Sequence, residues 1–532
     1  MVCRSAQSIH SQSHLKQQIV MNGLRTHTNL DPSRVINDFV ASLADPCQPL
    51  HCTSFLYGCL IALNRKELGA ANSQILRTQH HDLYNACMAL LTTPRPHGDF
   101  EDAGSGTWDL REDKKEALET CHCDTKDTFV QQIHVVSDSA RHNKGEPCPY
   151  SELGYMLFVV INNALQCARD ESIHEVSHNA TDATRAGGQV MWPTKPHDLL
   201  PYGAKASIEA LISWVGITHN PISLGTLGSM LEICKLQIVP HIAGSETLAN
   251  YLVNITEVVR MVWIAQQQAP ESTDVTPTFC LDDLKRITFF CHMFVDLCHE
   301  KELQKFVVGS VEKILWMGDI VLKWLPELQA SIQPLSSSAK HDIEYTRTYY
   351  IALCSLVHRY FEKAFDSTKY HPLIVSHSLW RMTQKENPVE MTFEGFLRLA
   401  GDQRCCAPGC LETFSSAGRK FNNCAGCKLI LYCSKPCQTR AWKHTTVPHK
   451  SICKKMGTLV ELTSLPSKLT DPIGGMAFAQ AFKAKGIDEV IAADVAIHLK
   501  KLLEMSAATC TLDFLPLNLK LTGMLISAPK IR

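Results

Sequence analysis

The residues in this chain best able to do chemistry are its cysteines. There are 23, and eight of them fall between Cys405 and Cys453, while fifteen are spread over the rest of the 532 residues. The first twenty residues hold no apolar run of leader length, so the expected compartment is intracellular. A dense cysteine cluster in that setting reads as metal ligation, not as a disulfide framework. The window runs CCAPGC, thirteen residues, CAGC, KLILY, CSKPC, then QTRAWKHTTVPHKSIC. Four donor pairs follow one another: Cys405 or Cys406 with Cys410, Cys424 with Cys427, Cys433 with Cys437, and His449 with Cys453. His444 competes for the imidazole position. Zinc takes four soft nitrogen or sulfur donors in a tetrahedron, and two to four intervening residues let one turn supply two of them. Eight donors in four pairs make two closed sites, and closed sites are structural because no position is left for substrate.

The order and surroundings of these pairs resemble the MYND zinc finger. The resemblance rests on CAGCKLILYCSKPCQ, on Trp442 and on HKSIC at 449–453, and it is confined to residues 405–453. A related cross-brace such as a RING is the alternative on ligand spacing alone. What the resemblance implies is a two-zinc cross-brace. Carried over, Cys405, Cys410, Cys433 and Cys437 would hold one ion, and Cys424, Cys427, His449 and Cys453 the other. CCAPGC resembles a longer C-x4-C variant of the first pair, which favours Cys405 over Cys406. The Lys after His449 and the three-residue gap to Cys453 favour that histidine over His444. The resemblance also implies a protein partner, typically a short proline-containing peptide lying along the finger.

Two other functions compete. Some proteins with this finger are lysine methyltransferases in which it interrupts a SET domain. That reading needs an Asn-His-Ser-Cys-like cofactor motif, which is missing here, and a large remainder after the finger, where 79 residues follow. The expectation is therefore a protein that is not an enzyme. A DNA-binding regulator would rest on the basic residues of the window, Arg419, Lys420, Lys428, Lys435, Arg440, Lys443 and Lys450 against Glu412. Two zincs with seven thiolates cut that excess to about +3. Nucleic-acid binding is disfavoured, because it needs a larger stripe with interleaved aromatics.

The elements that must carry the finger read as helices. Val35, Ile36, Phe39, Val40 and Leu43 share one face, as do Leu248, Tyr251, Leu252, Ile255, Val258, Val259 and Val262. The same spacing recurs over 284–298, over Val307 to Leu325, and over Tyr350 to Tyr360. Period-2 runs are nearly absent, so a large sheet is not expected. The predicted fold is mainly α: an irregular helical stack, then a small zinc finger near the carboxyl end. The predicted domains are a helical body over 1–400, divisible into two or more units, the finger over 405–453 and a short helical tail over 454–532. Within the body, polar connections are placed near 93–126 and 170–202. Within the finger, Leu429 and Leu431 suit a short half-exposed strand. Ser434 suits the cap of a helix with Pro436 in its first turn.

Composition excludes much else. Lys+Arg 52 against Asp+Glu 53 gives a net charge of -1, which argues against a protein that coats nucleic acid or a membrane surface. Nowhere do about 18 apolar residues run together, so no membrane span is expected. His174-Glu175-Val176-Ser177-His178 matches the metalloprotease pattern, but polar residues flank it and no buried amphipathic helix is readable there. Cys52, Phe55, Leu56 and Cys59 share a helical face and read as core. Cys121-His122-Cys123 has no second pair near it in sequence and reads as no site at all.

Overall fold

The computed structural model describes the chain from residue 30 to residue 508. Left aside are 65–75, 96–99, 105–106, 112, 114–115, 117–118, 125, 141–147, 171–190, 235–236, 269–275, 299, 308–309, 361–366, 384–386, 402–404, 411, 413–418, 420 and 464–472. The protein is mainly α-helical and divides into two compact units, Met1–His377 and Ser378–Arg532. Among the described residues no helix is long and apolar enough to cross a membrane.

The first unit opens with α1 (Pro32–Ser42), α2 (Thr53–Asn64) and α3 (His81–Thr92). A hairpin of β1 (Phe100–Gly104) and β2 (Thr107–Leu110) follows. Next come α4 (Thr128–Ala140), α5 (Tyr150–Asp170), α6 (Ala204–Thr218) and α7 (Pro221–Cys234). The unit continues through α8 (Glu246–Gln268), α9 (Pro277–Leu297), α10 (Glu300–Val307), α11 (Val311–Ser331) and α12 (Ser337–Tyr360). Local sequence explains several starts. Asp31 caps α1 by accepting from Ser33 N, and Thr276 caps α9 by accepting from Phe279 N, each with proline opening the helix. The apolar stripes then dictate the stacking. From α2, which packs on α1, α4 and α5, the core passes through α5 and α7 to α9, and through α12 to α11. In α7 every residue from Pro221 to Leu231 is buried, as a helix at the centre of a stack must be.

Two sequence expectations differ from what is observed. The stripe from Val307 to Leu325 is split between α10 and α11, which stop and restart on either side of Ser310. The stretch 93–126, expected as an irregular connection, contains the antiparallel β1–β2 hairpin, with a bulge between Asp102 and Gly104. Its strands are five and four residues long, too short for a period-2 pattern to register. The end of the other expected connection is an anchor. Trp192 is fully buried, stacks on Tyr84 at 4.9 Å and donates its indole N–H to Asn85 Oδ1. Its backbone N–H donates to Arg77 O, and its carbonyl accepts from Arg77 Nε.

The second unit holds α13 (Pro388–Gly401), the strands β3 (Asn422–Asn423) and β4 (Leu431–Tyr432), and α14 (Lys435–Trp442). It closes with α15 (His449–Thr463), α16 (Ile473–Ala484) and α17 (Glu489–Ala508). One apolar core runs through all of it. Phe393 and Phe396 of α13 meet Phe478 of α16, and Met456, Leu459, Val495 and Leu499 join the same cluster as the finger cysteines. Thr392, buried, donates to Ala492 O across α13 and α17. The sequence reading put α13 at the end of the body and treated finger and tail as separate segments. Packing groups α13, finger and tail together, because a 49-residue zinc module has too little apolar surface of its own. A fragment ending at residue 386 should therefore give a helical circular dichroism spectrum and one cooperative melt. One ending at residue 401 should aggregate, since it bares Val389, Phe393, Phe396 and Leu399; equal solubility of the two would contradict this partition.

Candidate metal centre

The finger is built on a short antiparallel pair, Asn422 opposite Tyr432 and Asn423 opposite Leu431. The turn joining the strands carries the second donor pair. Cys424 N donates to Ile430 O and Lys428 N to Cys424 O, with Lys428 at φ 58° in the left-handed region. Cys427 thereby folds back beside Cys424. The first pair sits on a second turn, Cys410 N donating to Ala407 O, with Gly409 at φ 72°. That turn is tied to the hairpin by Cys406 N donating to Leu431 O. Cys433 and Cys437 flank the start of α14, where Ser434 accepts from Cys437 N and Pro436 lies in the first turn, as the sequence suggests. His449 opens α15, so that Cys453 stands one turn along the same face.

These turns assemble two groups. Cys405, Cys410, Cys433 and Cys437 place their sulfurs within 4.8 Å of one another, and so do the donor atoms of Cys424, Cys427, His449 and Cys453. In the first group Cys410 and Cys433 are 3.8 Å apart and Cys433 and Cys437 3.5 Å. In the second, Cys424 and Cys453 are 3.6 Å apart, and His449 Nε2 lies 3.3 Å from Cys424 Sγ and 3.6 Å from Cys427 Sγ. Zinc bonds of about 2.3 Å to sulfur and 2.0 Å to nitrogen, at tetrahedral angles, require edges of about 3.8 and 3.6 Å. A disulfide requires about 2.05 Å. The donor sets therefore fit a tetrahedral metal and exclude bridged cysteines.

The two alternatives left open by spacing are separated in space. Cys406 is buried beside the hairpin but belongs to neither four-donor group. His444 turns its Nδ1 to accept from Thr446 N and Val447 N, which makes it the cap of the turn before α15. The HEVSH segment at 174–178 lies outside the described residues.

Electrostatics point the same way. Burial lowers the pKa of His449 to about 4, so its ring is neutral and keeps a lone pair on Nε2. Burial, with Cys427 beside it, pushes the Cys453 thiol up to about 12. A pocket that resists charge on a lone thiol accepts several thiolates only around a cation. Around the second group Tyr432 and Trp442 set their rings edge-on to His449, and His498 of α17 lies 6.5 Å away, centroid to centroid. Gly426 is there because there is no room for more. A Cβ on it would come within 2.7 Å of Cys453 Sγ.

Two closed, interleaved four-donor sites on one hairpin and two helix starts define a cross-braced zinc finger, a structural and non-catalytic module. Residues 405–453 match the MYND finger family model. Over 46 residues the chain is 44% identical to a SET and MYND domain-containing protein of Dictyostelium discoideum, a match covering 9% of this chain and 8% of that protein. No solved structure matches the chain. MYND fingers bind two zinc ions and serve as protein-interaction modules.

Sequence reasoning missed one grouping. Cys52, Cys121, Cys123 and His134 converge in the first unit. Cys52, Phe55, Leu56 and Cys59 are all buried, as a core stripe requires, yet Cys52 also meets Cys121, Cys123 and His134, a grouping that the separation in sequence hides.

The buried histidines give the second unit a defined acid response. His498 also has its pKa lowered to about 4, by burial first and then by His449 and Lys501. An unfolded histidine titrates near 6.5, so the unfolded chain takes up protons that the folded unit refuses. Stability is therefore intact above 6.5 and falls as pH drops from there toward 4. Acid titration followed by Trp442 fluorescence should show this loss, and His498→Gln should make it shallower without changing zinc content at pH 7.5.

Proposed function

We propose that Cys405, Cys410, Cys433 and Cys437 ligate one zinc, and Cys424, Cys427, His449 and Cys453 the second. The convergence of these eight side chains at tetrahedral edge lengths carries the assignment. Removing a ligand opens a labile position and takes folding energy from the finger, where each structural zinc is worth about 10 to 16 kcal/mol in peptides of this size. Cys405→Ala and His449→Ala should each release roughly one equivalent of zinc to a mild chelator. Cys406→Ala and His444→Ala should release none. Reversal of either pair of outcomes moves the ligand to the neighbouring residue.

The finger so formed presents one face of α14 as a docking surface for a partner peptide. A shallow open groove runs there, lined by Lys435, Pro436, Thr439, Arg440 and Lys443. Its aliphatic stems and proline ring suit a proline-containing segment, and its three cations suit acidic residues flanking that proline. The chain so read is an adaptor; the finger itself is neutral on a methyltransferase, a reading for which no cofactor motif is readable in the sequence. A peptide array probed with the whole protein should select proline-containing acidic segments. Lys435→Glu with Lys443→Glu should weaken the selected peptides on the order of tenfold and flatten their salt dependence. Binding indifferent to both changes removes α14 as the docking face. Methyl transfer from labelled S-adenosylmethionine to a protein substrate would instead favour the enzyme reading.

A further inference from the structure

The second place where donors converge is far from the finger in sequence and lies in the first unit. Cys52 occupies the position before the first turn of α2, where its carbonyl accepts from Leu56 N. Cys121 and Cys123 lie on the segment leading into α4, and His134 lies in the middle of that helix. All four donor atoms fall within 4.8 Å of one another. Cys52 and Cys123 sulfurs are 3.6 Å apart, and His134 Nε2 is 3.7 Å from Cys121 Sγ and 4.0 Å from Cys52 Sγ. The 3.6 and 3.7 Å lengths are those of the finger sites and of a zinc tetrahedron, the 4.0 Å one is about 0.4 Å longer than such an edge, and none is a disulfide length.

The surroundings hold this arrangement in place. The segment after Cys123 is pinned by Lys126 N donating to Asp124 Oδ1 and by Phe129 N donating to Asp127 Oδ1. Cys52 N donates to Cys123 Sγ at 3.5 Å, the kind of backbone support that a zinc-bound thiolate receives. The α2–α4 contact that brings His134 alongside depends on Gly58. A Cβ there would come within 2.5 Å of Ile133 O, the residue next to His134. His51 stacks on Phe55 at 4.1 Å, and Phe55 lies 6.3 Å from the His134 ring, which walls one side. Cys52 is buried, Cys123 and His134 are half-buried, and Cys121 is exposed.

We propose that Cys52, Cys121, Cys123 and His134 form a third zinc site, a closed tetrahedron of three cysteines and one histidine in the helical body. It ties the C-x-C segment to the start of α2 and the middle of α4, three pieces of chain with no backbone hydrogen-bond ladder between them among the described residues. On binding, the three thiols give up their protons to solvent and the imidazole binds as the neutral ring, with no change in oxidation state.

The test uses the full chain, purified under reducing conditions with zinc supplied. Metal analysis should find close to three equivalents. Cys121→Ser changes an exposed residue, so the fold should survive, with its circular dichroism unchanged, while zinc falls to two. Cys123→Ser is the second variant and should also hold two. Cobalt substituted into His449→Ala should still give the thiolate charge-transfer and d–d bands of a tetrahedral site with three sulfurs and one nitrogen. The His449→Ala, Cys121→Ser double variant should lose this three-sulfur, one-nitrogen contribution and keep only the bands of the four-sulfur finger site. Two equivalents in the parent chain, no change in zinc on Cys121→Ser, or a Cys52–Cys123 disulfide found by mass spectrometry in the reduced preparation would each overturn the site. The finger assignment is read separately, through Cys405→Ala and His449→Ala, so the two proposals fail independently.

Discussion

The finger is organised by a requirement of charge. Seven sulfurs and one imidazole crowd around two points, at separations of 3.3 to 3.8 Å where measured. Such crowding is tolerable for protonated thiols or around a divalent cation, and intolerable for bare thiolates. Every local device in the segment serves this crowding. The left-handed residues Gly409 and Lys428 make the two turns, Ser434 caps α14 between two donors, and Gly426 leaves room for Cys453. The groove on α14 inherits its rigidity from the same ions, since Cys433 and Cys437 bracket the start of that helix. The proposed docking face would thus depend on the metal geometry.

What the metals cannot supply is hydrophobic burial, and here the unit draws on its neighbours. α15 begins at a finger donor and continues into the core, carrying Met456 and Leu459 to the aromatic cluster of α13 and α16. His449 is buried partly because Tyr432 and Trp442 pack against it, and His498 of α17 lies beyond. Burial of its imidazole keeps that ring neutral, which is the form a metal needs. Packing and ligation are therefore coupled: burial by the finger's own aromatics, with α17 beyond them, keeps one donor neutral.

The helical body obeys a simpler rule. Apolar stripes at helical spacing bury themselves against one another, and α7, buried from Pro221 to Leu231, packs between α5 and α9. Most of the scattered cysteines behave as small apolar residues in this stack, Cys59, Cys87, Cys234, Cys291 and Cys354 among them, all buried. Cys121 and Cys123 depart from that pattern. They are partly open to solvent, on a connection, opposite a cysteine at a helix start and a histidine on the next helix, so packing alone does not account for them.

From the sequence alone one can read the finger's position, its four donor pairs, the Ser434 cap, the helical class and most of the stripes. These share a physical cause. A donor pair two to four residues apart, or an apolar face repeating every 3.6, is encoded within a turn or two of chain. The choice between Cys405 and Cys406, and between His449 and His444, is not legible in donor spacing. It depends on which side chain a turn aims inward, and the hydrogen bonds to Leu431 O and from Thr446 N and Val447 N favour Cys405 and His449. The joining of α13 to the finger and the meeting of Cys52, Cys121, Cys123 and His134 are likewise invisible in any short window. Cys52 and His134 are 82 residues apart, and they are neighbours because Gly58 lets two helices approach within the width of a missing methyl group. Contacts of that kind are set by how helices stack, which no short window of residues records.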